Sequence, residues 1–165
     1  MDLITDASSI INLVNANALD VASTMINKII CVSPLVVGEC EPTCAAELLR
    51  LQQEGRIRFI DPEDISSEAF LTLLDQHGLG EGETECLALL QTNDYVFCCD
   101  DDKARKAGIA LVGADRVIGS LRLLKWAVAD GSCNSDEAFS FYQNMKAAGG
   151  FLPELSIDWF KGDES

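Results

Sequence analysis

Histidine is almost missing from this sequence, since His77 is the only one among 165 residues. A Ser-His-Asp set needs a histidine base, and zinc sites need paired Cys and His spacings. The chain has one Cys-x3-Cys stretch, which contains Pro42, and we therefore expect neither kind of site. The seven cysteines stand mostly in apolar surroundings and are expected to be buried, reduced thiols.

Basic residues and long apolar runs are also scarce. There are 12 Lys and Arg residues against 27 Asp and Glu residues, and the net charge of −15 argues against a protein that coats nucleic acid through bulk electrostatics. No apolar run approaches the ~20 residues that a membrane helix needs. The opening MDLITDASS lacks the basic region of a signal or transit peptide, so we expect a cytoplasmic protein with no membrane partner.

Short apolar segments alternate with amphipathic ones along the chain. The predicted strands cover 2–5, 29–33, 95–99 and 109–113, with an edge strand or extended segment at 56–62. Helices are predicted between them, including a long amphipathic helix over 115–131. This alternation indicates an α/β fold with a mostly parallel sheet covered on both faces. No repeat or linker interrupts the sequence, so we expect a single domain over 1–165.

Acidic residues lie where the predicted strands end or the next helices begin. They are Asp6, Glu39, Glu83, Asp100 and Asp101. Ligand sites in open parallel sheets lie at the carboxyl ends of the strands. Each acid alone could be a helix cap, but several converging carboxylates would raise one another's pKa unless a cation joined them. Mg²⁺ or Mn²⁺ is the natural partner of such an oxygen-only set. Glu85 falls on another helix face and is expected to be solvated.

Half of the basic residues follow these acids, between Lys103 and Lys125. This segment is either a solvated helix face or a phosphate-binding lip beside an acidic pocket. Arg105 lies four residues after Asp101, so it either pairs with that carboxylate along a helix or contacts a phosphate. Asp115, within the segment, is either a helix cap or an additional acid of the site.

The C-terminal stretch FLPELSIDWF, 151–160, is expected to dock on the rest of the domain through its aromatic residues.

The order and context of the acids resemble those of PIN-domain nucleases. ITDASSIINL is similar to their opening strand and first helix, and SPLVVGEC is similar to the element that carries their second acid. GEGETECLALL is similar to the start of the helix that carries their third acid. CCDDDKARKAGIALVG is similar to the segment that carries their fourth acid. The resemblance implies a three-layer α/β/α sandwich, with 132–165 as a C-terminal helical extension packed on it. One departure is that Cys98 and Cys99 stand where relatives often carry Thr or Ser.

The resemblance further implies a metal-dependent endoribonuclease, and many bacterial relatives are toxins of toxin–antitoxin pairs. Carried over by position, it implies that Asp6, Glu39, Glu83 and either Asp101 or Asp100 act in catalysis and bind Mg²⁺ or Mn²⁺. Ser8 would support either the first acid or a metal-bound water, and Lys103 and Arg105 are the other candidate substrate contacts. The implied partners are RNA and an antitoxin-like protein. Separately, the apolar stripe of Leu121, Leu124 and Val128 is expected to lie either in the core or on the surface of a homodimer.

Two interpretations other than an active ribonuclease are compatible with an α/β fold that carries these acids. The first is a PIN-like binding or regulatory module, weak or inactive in catalysis, that acts through protein partners. The second is a phosphatase of the haloacid dehalogenase type, which needs an Asp-x-Asp pair after the first strand. The sequence TDASS offers no second Asp there, so the phosphatase is the least favoured of the three.

Overall fold

Five short parallel strands form the central sheet of the computed structural model, which describes residues 1–40 and 42–162. The strands are β1 (Asp2–Thr5), β2 (Ile29–Val32), β3 (Ile57–Phe59), β4 (Val96–Cys98) and β5 (Val117–Ile118). Their order is β3-β2-β1-β4-β5, and every neighbouring pair is parallel. The chain therefore extends the sheet first on one side of β1 and then on the other. The carboxyl ends of β1 and β4 flank this switch point, where ligand sites of such sheets lie.

Helices connect the strands and cover both faces of the sheet. They are α1 (Ala7–Asn15), α2 (Leu19–Ala22), α3 (Pro34–Glu39), α4 (Pro42–Gln53), α5 (Ser67–His77), α6 (Glu81–Thr92), α7 (Asp102–Val112), α8 (Ser120–Asp130), α9 (Ser135–Ala147) and α10 (Ile157–Lys161). Helices α1, α8 and α9 contact one another, and α6 contacts both α5 and α7. The predicted three-layer α/β/α sandwich with a parallel sheet is confirmed. Every helix in the described ranges is too short or too polar to cross a membrane.

The central strands are buried on both faces, which explains their continuous apolar sequences. Leu3 and Ile4 of β1 and Phe97 of β4 are completely buried. The seven cysteines are buried too, as expected from their apolar surroundings. The sheet is therefore a rigid base from whose carboxyl edge the acidic residues project.

The strand predicted at 109–113 is wrong, because these residues belong to the second half of α7 and its C-terminal end. Gly108 allows α7 to pack closely on Phe97 of β4. A Cβ at this position would lie only 2.8 Å from Cδ1 of Phe97. The strand beside β4 is instead Val117–Ile118, and the long helix begins only at Ser120. A four-residue apolar run fits a buried strand and a helix end equally well.

The C-terminal extension packs on the same side as α1 and α8. Helix α9 contacts both of them, and α10 contacts α9. Phe160 is buried and its ring meets the rings of Phe139, Tyr142 and Trp159. The expected docking of this segment is thus confirmed for Phe160 but wrong for Phe151, whose side chain is fully exposed. Residues 163–165 of the extension lie outside the described part of the chain.

Candidate acidic site

Asp6 follows β1 directly and is the N-cap of α1. Its Oδ1 accepts a hydrogen bond from the Ser9 backbone amide at 3.1 Å. The Ser8 hydroxyl lies 3.0 Å from Oδ1 and 2.8 Å from Oδ2. The Cys99 thiol donates a hydrogen bond to Oδ2 at 3.0 Å. Burial raises the pKa of Asp6 to about 6, the negative charge of Asp100 adds to the rise, and the three hydrogen bonds oppose it. The site therefore disfavours the charged form of Asp6.

Ser8 joins the ends of the two central strands. Its hydroxyl contacts Asp6 and also accepts hydrogen bonds from the backbone amides of Asp100 and Asp101, at 3.1 and 3.2 Å. The carboxyl ends of β1 and β4 are therefore fixed relative to each other through one side chain. Ser8 supports the first acid in the structure, which is the position that the resemblance implies for it.

Asp100 and Asp101 are adjacent in sequence but have different surroundings. Oδ2 of Asp100 accepts from the Asn12 amide at 2.7 Å and from the Ser120 hydroxyl at 2.5 Å, while Oδ1 accepts from the Ser120 backbone amide at 2.8 Å. Asp101 is the N-cap of α7, with Oδ1 accepting from the Ala104 amide at 2.8 Å. Asp100 thus braces α1 against the start of α8, whereas Asp101 faces the third acid.

Glu39 and Glu83 meet across the glycine-rich start of α6. Glu39 accepts a hydrogen bond from the Gly82 amide at 2.8 Å, and Glu83 accepts one from the Gly80 amide at 3.0 Å. A Cβ on Gly82 would lie 2.5 Å from Oε2 of Glu39, so a side chain at this position would displace the Glu39 carboxylate. Burial raises the pKa of Glu83, and the charges of Asp101 and Glu39 add to that rise.

The acids therefore share one edge of the sheet without converging on one point. In residues 1–40 and 42–162, no three Asp, Glu, His or Cys side chains form a group that could hold a metal ion. Each carboxylate is instead directed to nearby hydrogen-bond donors, while burial, and after it neighbouring negative charge, disfavours the charged forms of Asp6 and Glu83. Oxygen-only ligands that repel one another fit a hard divalent cation. Asp6, Glu39, Glu83 and Asp101 are the acids of this edge that such an ion would need, and in the described residues they are not drawn together into one ligand group.

The two candidate basic residues lie on α7 at the border of this site. Lys103 donates to the Gly78 carbonyl at 2.8 Å, and its positive charge opposes part of the rise that burial causes in the pKa of Glu83. Arg105 donates from Nη1 to the Cys99 carbonyl at 2.9 Å. An Arg105–Asp101 ion pair does not form within the described residues. Asp115 is exposed on a 3₁₀ helix, Ala114–Arg116, beyond β4 and outside the acidic site.

Glu85 is buried, so the expectation that it is solvated is wrong. Its Oε2 accepts a hydrogen bond from the Leu35 amide at 2.8 Å in the first turn of α3. Ser33, at the N-cap position of that helix, makes no side-chain capping bond. Glu85 therefore supplies the cap from α6 and fixes α3, which carries Glu39, against the helix that carries Glu83.

Sequence reasoning missed two residues that hold Asp100. Asn12 lies four residues after Ser8, and this helical spacing, which places both on one face of α1, was a usable signal. Ser120 was hidden because the sequence predicts a helix over 115–131. Once β5 is placed at Val117–Ile118, Ser120 falls at the carboxyl edge, next to the end of β4.

The sequence is similar to one known protein family. A family model described as a PIN domain matches residues 2–158, which include every acid of the site. No curated protein and no solved structure matches the chain. PIN domains are generally nucleases, and such nucleases usually need a divalent metal. Because the family model covers nearly the whole chain, the protein belongs to the PIN-domain family.

Proposed function

We propose that the protein is a metal-dependent endoribonuclease that hydrolyses RNA phosphodiester bonds at the acidic site, Asp6, Glu39, Glu83 and Asp101. The observation that carries the proposal is the state of Asp6. Its carboxylate is 1 % exposed and has a pKa of about 6, with further acids at the same sheet edge. A fold that keeps a buried carboxylate beside other carboxylates favours the binding of a cation there.

A Mg²⁺ or Mn²⁺ ion held by these carboxylates would lower the pKa of a water molecule and stabilise the charge that develops on the phosphate oxygens. The chain's own residues provide the positioning. Ser8 and Cys99 orient Asp6 through hydrogen bonds to its two oxygens. Glu85 holds α3 so that Glu39 stays beside Glu83.

We assign the fourth acid to Asp101 rather than to Asp100. Both oxygens of Asp100 already accept hydrogen bonds, three in all, from Asn12 and Ser120. Exchanging these bonds for a metal would remove the link that Asp100 makes between α1 and the start of α8. The charge of Asp101 acts on Glu83, which indicates that the two carboxylates are near each other. Asp100 is then a positioning residue that fixes the end of β4.

Lys103 and Arg105 are the residues of this edge suited to hold the phosphates of the substrate. Arg105 uses Nη1 to bind the Cys99 carbonyl, and because a guanidinium has five N–H donors, this bond leaves further donors for a phosphate. Lys103 reaches the carbonyl of Gly78, close to the glycine-rich turn before α6. Both side chains place positive charge at the rim of the acidic site, where a phosphodiester would approach.

The test compares the wild-type protein with Asp6→Asn, using Asp75→Asn, an exposed acid on α5, as the matched control. Cleavage of a mixed RNA pool and the melting temperature are measured with Mg²⁺, with Mn²⁺ and with EDTA. We expect metal-dependent cleavage and a metal-dependent rise in melting temperature for wild type and Asp75→Asn, and loss of both for Asp6→Asn. Equal cleavage by Asp6→Asn and wild type would contradict the proposal.

The second candidate function is a catalytically weak or inactive PIN-like module that acts through protein partners. It is favoured by one observation, the absence of a three-ligand metal group from the described residues. A wild-type protein that cleaves no RNA and gains no stability from Mg²⁺ or Mn²⁺ would support this module instead.

The toxin role, an antitoxin-like partner, a homodimer and a cytoplasmic location remain predictions from the sequence. Growth arrest on expression of the wild type but not of Asp6→Asn would support the toxin role. Rescue by the product of the adjacent gene would identify an antitoxin.

A further inference from the structure

The side chain of Asp100 links the end of β4 to two helices. Its donors are the side-chain amide of Asn12 on α1 and both the backbone amide and the hydroxyl of Ser120, at the start of α8. Gly119, the N-cap residue of α8, makes no side-chain capping bond, so Asp100 supplies the acceptor for the first amide of that helix. The position of the Asp100 carboxylate therefore depends on what holds Asn12 and Ser120 in place.

Met145 of α9 contacts Ser120 and also fixes the turn that follows α9. Its side chain is completely buried, and its thioether sulfur lies 3.9 Å from the hydroxyl oxygen of Ser120. Its backbone carbonyl accepts a hydrogen bond from the Gly150 amide at 2.9 Å. One residue of the C-terminal extension is thus connected both to a donor of Asp100 and to the turn at Gly150.

Gly150 brings this turn directly against the side chain of Asn12. A Cβ at position 150 would lie 3.1 Å from Oδ1 of Asn12 and 2.9 Å from the carbonyl oxygen of Met145. Because interiors are closely packed, a side chain at this position would push the Asn12 amide or open the turn. The nitrogen of the Asn12 amide meets Asp100, and its oxygen lies against the extension.

The extension is held on the domain on both sides of this turn. Helix α9 packs on α1 and α8, the two helices that supply the donors of Asp100. Beyond the turn, the buried Tyr142 hydroxyl donates to the Pro153 carbonyl at 2.9 Å and accepts a hydrogen bond from the Leu155 amide at 3.0 Å. The position of Gly150 against Asn12 is therefore set by the packing of the extension as a whole.

We propose that Met145 and Gly150 are positioning residues for the acidic site. They hold Ser120 and Asn12 at Asp100, which fixes the end of β4 and with it the neighbouring Asp101. A displacement of about 1 Å in an active site can lower a reaction rate by as much as ~100-fold. The C-terminal extension therefore contributes to the geometry of the reaction in addition to covering α1 and α8. The inference rests on the proposed function, because it assigns these residues to the site at which RNA is cleaved.

Hydrogen exchange of single backbone amides, measured by NMR in EDTA, tests the link without RNA or metal. The Ser120 amide reports its bond to Asp100, and the Leu123 amide, which is bonded within the first turn of α8, reports the stability of that helix. We expect Gly150→Ala to raise the exchange rate of Ser120 roughly 10-fold more than that of Leu123, as the loss of one hydrogen bond would. Gly162→Ala is the control within the extension, because its Cβ would meet no atom closer than 3.9 Å.

Cleavage of a mixed RNA pool with Mn²⁺ tests whether this link serves the reaction. We expect Gly150→Ala and Met145→Ala to lower the apparent kcat roughly 10- to 100-fold. The apparent KM and the Mn²⁺-dependent increase in melting temperature should stay close to those of wild type. Met145→Leu, which keeps most of the buried volume, should restore most of the rate. Phe160→Leu alters the aromatic cluster of α9 and α10 instead, and should lower stability without lowering the rate.

The outcomes separate this inference from the nuclease proposal. An unchanged exchange rate of Ser120 in Gly150→Ala, or an equal rise for Ser120 and Leu123, overturns the link between the extension and Asp100. A selective rise with an unchanged kcat overturns its role in the reaction, and so does an equal loss of rate in Phe160→Leu. If wild type neither cleaves RNA nor gains stability from Mn²⁺, the nuclease proposal fails. A selective rise for Ser120 would in that case still support the positioning of Asp100 by the extension.

Discussion

The Cys99 thiol donates a hydrogen bond to Oδ2 of Asp6 across 3.0 Å, from just beyond the end of β4 to the end of β1. This contact accounts for the departure seen in the sequence, where relatives often carry Thr or Ser. Burial and the charge of Asp6 raise the pKa of Cys99, so the thiol remains protonated and can act as a donor. Sulfur takes the place of a hydroxyl in holding the first acid, although S–H is a weaker donor.

Replacement of Cys99 should therefore shift the pKa of Asp6. Cys99→Ala removes a hydrogen bond that stabilises the carboxylate, so we expect the pKa of Asp6 to rise from about 6 by roughly one unit. Cys99→Ser offers a stronger donor and should lower it. Titration of the Asp6 carboxyl carbon by NMR, with Asp6→Asn to assign the signal, measures both shifts. An unchanged pKa in both variants would show that the contact has no energetic effect.

The raised pKa of Asp6 makes stability depend on pH in a defined direction. The folded protein binds this proton more tightly than the unfolded chain, whose carboxyl has the ordinary value of 3.8. The contribution to stability is thus complete below about pH 4 and is lost as the pH rises through about 6. Two pKa units correspond to about 3 kcal/mol in the free energy of unfolding.

In EDTA, the stability of wild type relative to Asp6→Asn should consequently fall as the pH rises through about 6. Urea denaturation of both proteins between pH 4 and 8 measures the difference, and subtraction cancels groups that titrate alike in the two, including Glu83. A wild type that gains stability relative to Asp6→Asn between pH 5 and 7 would contradict the raised pKa.

The sequence predicted the acidic edge because β1, β2 and β4 are apolar runs, each followed directly by polar residues. It could not predict how the acids divide their roles. The separation of Asp100 from Asp101 depends on Asn12 and Ser120, which are 88 and 20 residues away from Asp100 along the chain. Two-residue β5 was missed because so short a strand has no periodicity to detect. Glu85 was misjudged because its partner, a backbone amide of α3, leaves no sign in the sequence.

Glu85 should contribute to stability through the cap that it provides for α3. Glu85→Ala leaves the Leu35 amide of α3 without its acceptor, and we expect a loss of about 1–3 kcal/mol in the free energy of unfolding. Glu81→Ala, at an exposed position at the start of the same helix, is the control and should change stability little. Chemical denaturation compares the two. If both variants lose the same stability, the loss reflects a general effect on α6 and not the cap.

Asp100 and Asp101 should respond differently to amide substitution, although they are neighbours. Asp100→Asn replaces an acceptor oxygen by an NH₂ group that faces the donors of Asn12 and Ser120, so we expect a loss of roughly 2 kcal/mol in stability. The increase in melting temperature on addition of Mn²⁺ should persist in Asp100→Asn.

Asp101→Asn retains an acceptor oxygen for the Ala104 backbone amide and should lose little stability. Its Mn²⁺-dependent increase in melting temperature should largely disappear, because the new side-chain amide is not a charged ligand. Thermal melts of both variants with Mn²⁺ and with EDTA decide the assignment. The reverse pattern would make Asp100 the ligand and would mean that its bonds to α1 and α8 are given up when metal binds.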